Sequence, residues 1–165
     1  MTQLTALAPA DVIPLRDELL AAALQSFAAP PWNEGPEDAA ETVDRIWSHL
    51  DGRDFAGVVA RDGEVLVGFA FGSTNSAYAA LHPGPTVLTE AFELVELAVV
   101  PEYQGRGIGR ALHDAVLVDA PSPRLLITHP DAPARTAYLR WAWADLGLVT
   151  MPEGGEWILM RHDAR

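Results

Sequence analysis

A chain of 165 residues that is 49% hydrophobic and 21% charged can bury the core of one domain, and a single domain over residues 1–165 is expected. It contains no cysteine, which excludes a disulfide framework and thiolate chemistry from its own side chains. The net charge of −12 argues against nucleic acid, whose phosphates repel such a surface, and suits a cationic small molecule or peptide. No window reaches the roughly 18 uninterrupted apolar residues of a membrane span. The first residues, Met1-Thr-Gln-Leu-Thr-Ala-Leu, lack the basic region and apolar core of a leader. A cytoplasmic protein without a membrane partner is therefore expected.

Residues 2–7 read as a first strand. Asp11 reads as an N-cap, with Leu15, Leu19, Ala23 and Phe27 following at helical spacing. Pro30 and Pro31 bar helix continuation, so Ala-Pro-Pro-Trp-Asn-Glu-Gly at 29–35 is a loop. A second helix starts at Pro36, with Glu37 and Asp38 complementing the dipole of its first turn. Val43, Ile46, Trp47 and Leu50 give its buried stripe, and Gly52 ends it. Apolar runs at 55–60 and 65–71 flank Arg-Asp-Gly-Glu, a hairpin signal. Residues 73–90 are polar and turn-rich and predict an irregular excursion.

A longer strand over 91–100 then runs into Gly105, Gly107 and Gly109. The helix that follows carries Ile108, Ala111, Leu112, Ala115 and Val116 on one face and stops before Pro121. Residues 124–128 read as a short strand, and Ala134, Ala137, Tyr138 and Trp141 mark another helix. Residues 148–151 and 156–160, joined through Gly154-Gly155, read as a closing antiparallel pair. The order β-α-α-β-β-β-α-β-α-β-β predicts an α/β (α+β) fold, a mixed central sheet of about six to seven strands with helices on both faces.

The glycine turn carries the most chemistry. A strand that feeds glycines and opens into a helix N-terminus presents backbone N–H groups, and the positive end of a helix dipole, to an anion such as phosphate. Two common phosphate motifs fail on spacing. The dinucleotide fingerprint needs Gly-x-Gly-x-x-Gly, and the nucleotide P-loop ends in Gly-Lys-Ser/Thr, where this chain has Gly109-Arg110-Ala111. What fits is Gln104-x-x-Gly107-x-Gly109 after Leu97-Ala98-Val99-Val100-Pro101. This resembles motif A of the GNAT N-acetyltransferase superfamily, in which the turn wraps the pyrophosphate of acetyl-coenzyme A. The order of elements resembles that fold over nearly the whole chain. Ala134-Arg-Thr-Ala-Tyr138 resembles its second signature, and Pro31-Trp32-Asn33-Glu34 is similar to the loop between the first two helices in ribosomal-protein N-terminal acetyltransferases. Two positions depart from the family pattern: Asp131 stands for a common asparagine, and Ala142-Trp143 for the usual Gly-Phe.

The resemblance implies an acetyl-coenzyme A-dependent N-acetyltransferase acting by direct transfer in a ternary complex on a primary amine, either a small cationic molecule or a peptide N-terminus. Gln104, Gly105, Arg106, Gly107, Ile108, Gly109 and Arg110 would hold the phosphates. Backbone groups of Leu97, Ala98 and Val99 would polarise the thioester where the strand bulges and splays. An alkyl ammonium, with a pKa of about 10, costs about 4 kcal/mol to neutralise at pH 7, so a base is needed. Glu93, Glu96 and a water remain alternatives for it. Tyr138 would return a proton to the departing thiolate. Trp32, Asn33, Glu34 and His129 are the expected acceptor contacts. The five histidines form no close-spaced pair, so no metal is expected. A homodimer follows from the family's habit. A GNAT-like domain that senses acyl-coenzyme A without turnover is the alternative.

Overall fold

A computed structural model describes residues 1–85 and 87–164; Thr86, inside the excursion expected over 73–90, and Arg165 lie outside the described residues. The strands are β1 (Thr2–Leu7), β2 (Arg53–Asp62), β3 (Val65–Asn75), β4 (Ala91–Val99), β5 (Arg124–Thr128), β6 (Ala144–Thr150) and β7 (Glu156–His162). The helices are α1 (Pro9–Val12), α2 (Arg16–Phe27), α3 (Pro36–His49), α4 (Ile108–Leu117) and α5 (Pro133–Arg140). Hydrogen bonding links the strands into one seven-stranded mixed sheet in the order β1-β2-β3-β4-β5-β7-β6. No helix of the described residues is long and apolar enough to cross a membrane.

The described residues form two compact units, the boundary passing within β4. The first comprises residues 1–73 and 94–120. Here β1 lies antiparallel to β2, with Thr2 opposite Asp62 and Leu7 opposite Gly57. The expected hairpin turns at Gly63, whose φ of +59° suits glycine. Leu19, Ala23, Val43 and Ile46 pack with Phe69 and Phe71 of β3 into the main apolar cluster. Gly68 faces the other way: a methyl there would lie 2.9 Å from Leu112 of α4 and 2.9 Å from the Ala98 carbonyl oxygen. Helices therefore cover both faces of this part of the sheet, and β3 needs a glycine where α4 and β4 press closest.

Two local expectations are corrected in this unit. Asp11 is not the N-cap. The helix starts one turn earlier, with Ala8 at the cap and Pro9 at the first helical position, where a missing N–H costs nothing. Asp11 instead reaches back to accept the Ala8 N–H at 2.9 Å. Pro14 then interrupts the helix as a 3₁₀ turn (Ile13–Leu15) before α2 begins. In α4, Ala111 is exposed while His113 and Leu117 are buried beside Ile108, Leu112 and Val116. Two flanks border the 108–112–116 stripe, and hydropathy selected the one carrying alanines rather than the one that meets the sheet.

The second unit comprises residues 74–93 and 121–164 of those described. Phe92 and Glu93 pair in parallel with Arg124 and Leu125. β5 and β7 are antiparallel, as are β7 and β6. β6 begins at Ala144, four residues before the expected start, because a register shift between Asp145 and Gly147 absorbs a glycine at φ +122°. Tyr78, Ala79, Ala91, Leu125, Val149 and Leu159 form this unit's apolar cluster.

Candidate active site

The glycine turn is built on the end of β4. Val100 N–H donates to the Val67 carbonyl at 2.9 Å, and Tyr103 N–H closes a 3₁₀ turn (Pro101–Tyr103) on Val100 at 2.8 Å. Gln104 then donates its side-chain amide to the Val99 carbonyl at 2.9 Å. The Tyr103 hydroxyl donates to Asp62 at 3.0 Å, tying the same corner to the β2 end of the hairpin. Gly105 and Gly107 follow at φ +74° and +83°, and Gly107 is the N-cap of α4. A methyl on either would touch nothing, so glycine is demanded by the backbone angle, and the space above the turn is open.

No side chain caps α4, and its first turn has no acidic residue. The first turn's N–H groups have no acceptor within the helix, so the site offers backbone donors and a dipole end to an anion. That donor set suits the phosphates of coenzyme A. The two cations are engaged locally. Arg106 lies 5.0 Å over the Tyr103 ring and donates to the Glu102 carbonyl, and Arg110 pairs with Asp114 at 2.7 Å.

The two β4 carboxylates lead different lives. Glu93, 1% exposed, accepts the Tyr78 N–H at 2.7 Å, and burial pushes its pKa up to about 7. Glu96, 8% exposed, pairs with Arg45 of α3; burial raises its pKa and Arg45 partly offsets the rise. Glu34, in the loop between α2 and α3, joins this second group. Its pKa is pushed up to about 7, first by burial and then by the charges of Glu96 and Asp38. Arg45 is the group that sequence reasoning missed. Its signal was a lone arginine in a helix that also carries Glu37, Asp38, Glu41 and Asp44.

Of the other loop residues, Trp32 packs edge-on against Phe27 at 5.6 Å. Asn33, at φ +50°, donates to the Pro31 carbonyl at 3.4 Å. Both shape the loop, and Glu34 is the member grouped with Glu96. His129, in the second unit, follows β5; its Nδ1 accepts the Asp131 N–H at 3.1 Å and its ring meets Trp157 edge-on at 6.3 Å.

Tyr138 sits on α5 and is 7% exposed. Its position is set by the helix C-terminus. Ala142 adopts φ +69°, its N–H returns to Leu139 at 3.3 Å, and the Trp143 N–H returns to the Tyr138 carbonyl at 3.0 Å. These paired bonds make a Schellman ending, whose usual apolar contact is supplied by the Trp143 ring, 6.0 Å from that of Tyr138. Trp141 meets the same ring edge-on at 5.7 Å. A buried phenol is thus held on a short helix by two indoles.

A family model described as Acetyltransferase (GNAT) family matches residues 18–143. No curated protein matches at a significant level. Among solved structures, PH1933 from Pyrococcus horikoshii OT3 is 18% identical at a TM-score of 0.71, over 100% of this chain and 99% of that one. The ribosomal-protein-S18-alanine N-acetyltransferase from Escherichia coli is 16% identical at a TM-score of 0.62, over 100% and 96%. The PaiA N-acetyltransferase from Thermoplasma acidophilum, solved with coenzyme A, is 16% identical at a TM-score of 0.56, over 99% of each.

Proposed function

Because the chain belongs to the acetyltransferase (GNAT) family, whose donor is acetyl-coenzyme A, we propose that it acetylates a primary amine carried by a cationic small molecule or a peptide N-terminus. The observation that carries the donor side is the left-handed Gly107 cap, opening α4 to an anion from a corner pinned by Gln104 and Tyr103. The thioester supplies an activated acetyl group. Backbone groups of Leu97, Ala98 and Val99 orient its carbonyl, and N–H groups of residues 105–110 hold the phosphates.

On the acceptor side, Glu34 and Glu96 place two carboxylates around one arginine in the first unit. Glu34, its pKa pushed up to about 7, and Glu96, raised by burial against the pull of Arg45, suit an incoming ammonium, and Glu96 lies on β4 beside the thioester-orienting backbone. Glu96 and a water are the bases we favour, and Glu93 is treated below. Tyr138 then gives its proton to the departing thiolate. The S18-alanine acetyltransferase favours a peptide N-terminus by analogy of fold alone, whereas the carboxylates favour a free cation. We take the chain as one domain, since β4 contributes to both units, and as a homodimer by family resemblance, which light scattering would check.

The test is a thiol-release assay with acetyl-coenzyme A and a panel of a polyamine, an aminoglycoside and a peptide with a free N-terminus. Tyr138→Phe should lower turnover tenfold or more and leave coenzyme affinity nearly unchanged. An unchanged rate on an accepted amine would remove Tyr138 from the mechanism.

A further inference from the structure

Glu93 combines three features that do not suit a proton acceptor for an incoming amine. It is buried to 1% exposure on β4. Its Oε1 accepts the Tyr78 N–H at 2.7 Å, and the Ala77 backbone N–H bonds to the same carboxylate. Those N–H groups stand at the mouth of a 3₁₀ turn (Ala79–Leu81), where Tyr78 is the N-cap and makes no side-chain cap of its own. Tyr78, 6% exposed, and Ala79 are drawn into the apolar cluster with Leu125, Val149 and Leu159. A turn that dips into an apolar cluster must find acceptors for its first donors away from water, and a buried carboxylate is a strong one. A lone pair committed to a buried N–H points into the protein and not toward a substrate.

We propose that Glu93 is a positioning residue: it pins the turn at 77–81 to β4 through backbone N–H groups and takes no proton from the acceptor amine. This goes beyond the acetyltransferase reading and rests on it only where turnover is measured. Glutamine is the discriminating replacement. Its side-chain oxygen can accept the same N–H groups, but an amide cannot serve as a base at neutral pH.

The experiment compares the full-length parent with Glu93→Gln and Glu93→Ala by amide hydrogen exchange at Ala77 and Tyr78, and by thiol release across pH on the amine panel. Expected are exchange and turnover within about threefold of the parent for Glu93→Gln with its pH profile unchanged, and exchange at least tenfold faster for Glu93→Ala. Unchanged Tyr78 exchange in Glu93→Ala would overturn the anchoring role. A hundredfold loss of turnover in a folded Glu93→Gln, with the acidic limb of the profile gone, would make Glu93 the base. If Glu93→Ala does not fold, Glu93→Gln decides through turnover: a near-parental rate and pH profile support the proposal, and loss of the acidic limb refutes it. Failure of the parent to bind acetyl-coenzyme A would sink the enzymatic reading but leave the exchange result standing.

Discussion

In the proposed donor site, Gly107 concentrates the coenzyme contact in one backbone angle. At φ +83° a side chain is strained by about 1–2 kcal/mol, and a carboxylate there would bring like charge to the phosphate site we propose. Gly107→Asp should abolish acetyl-coenzyme A binding by calorimetry while the protein still melts cooperatively. Glu34 predicts the pH response. Its folded pKa of about 7 lies above the ordinary carboxylate value of 4.5, so its contribution to stability is complete below pH 4.5 and is lost as pH rises through 7. Glu93 acts in the same sense. His49 acts oppositely: burial and Arg45 hold its pKa below 6.5, so the stability it confers is present above 6.5 and lost as pH falls through its folded value. The melting temperature should therefore fall between pH 6 and pH 8, and Glu34→Gln should lessen that fall; a slope identical to the parent's would mean that Glu34 ionises normally. The glycine turn and the carboxylates were legible in the sequence, but their titration was not. Three carboxylates can be counted there, but their burial, and the arginine placed between two of them, come from tertiary packing.

At the level of elements, the C-terminus of α5 is where this chain departs from its family's usual Gly-Phe. Ala142 occupies a left-handed position that glycine adopts freely. Ala142→Gly should stabilise the protein by about 0.5–1 kcal/mol, read from denaturant midpoints, with the Tyr138–Trp143 contact kept. Trp143 replaces the family's phenylalanine and still makes the apolar contact of the ending, so the departure preserves the role. Most elements were legible because glycines and prolines punctuate them: the loop after α2, the start of α3, the hairpin at Gly63 and the turn before α4 all fall where those residues set φ. The misses have different causes. Pro14 splitting the first helix and the bulge at Gly147 that starts β6 early are local backbone effects that apolar spacing overlooks, whereas the buried flank of α4 depends on which neighbouring surface covers it. Periodicity does not contain that information.

For the whole molecule, the net charge of −12 acts over distances that individual pairs do not. A cationic acceptor is drawn in by this field, which a Debye length of about 10 Å at 0.1 M salt screens away. Raising salt from about 50 to about 300 mM should increase KM for a polyamine roughly threefold and leave KM for an uncharged amine nearly unchanged. Equal responses would show that the charge serves solubility alone.

The corner that holds Gly105 and Gly107 is tied at both sides, by Gln104 to Val99 and by Tyr103 to Asp62, whereas the connection carrying Glu34 is closed by the Glu34 N–H on the Phe27 carbonyl and the Gly35 N–H on the Asp38 carboxylate. The two can therefore drift independently under selection. Randomising residues 32–34 in a laboratory library should shift which amines are accepted at little expense to donor affinity, whereas the same diversity at 104–107 should yield inactive clones. Within the first unit the difference is one of anchorage: the glycine turn is fastened to β4 and to the end of β2, whereas the loop at 29–35 is fastened to the helices on either side of it.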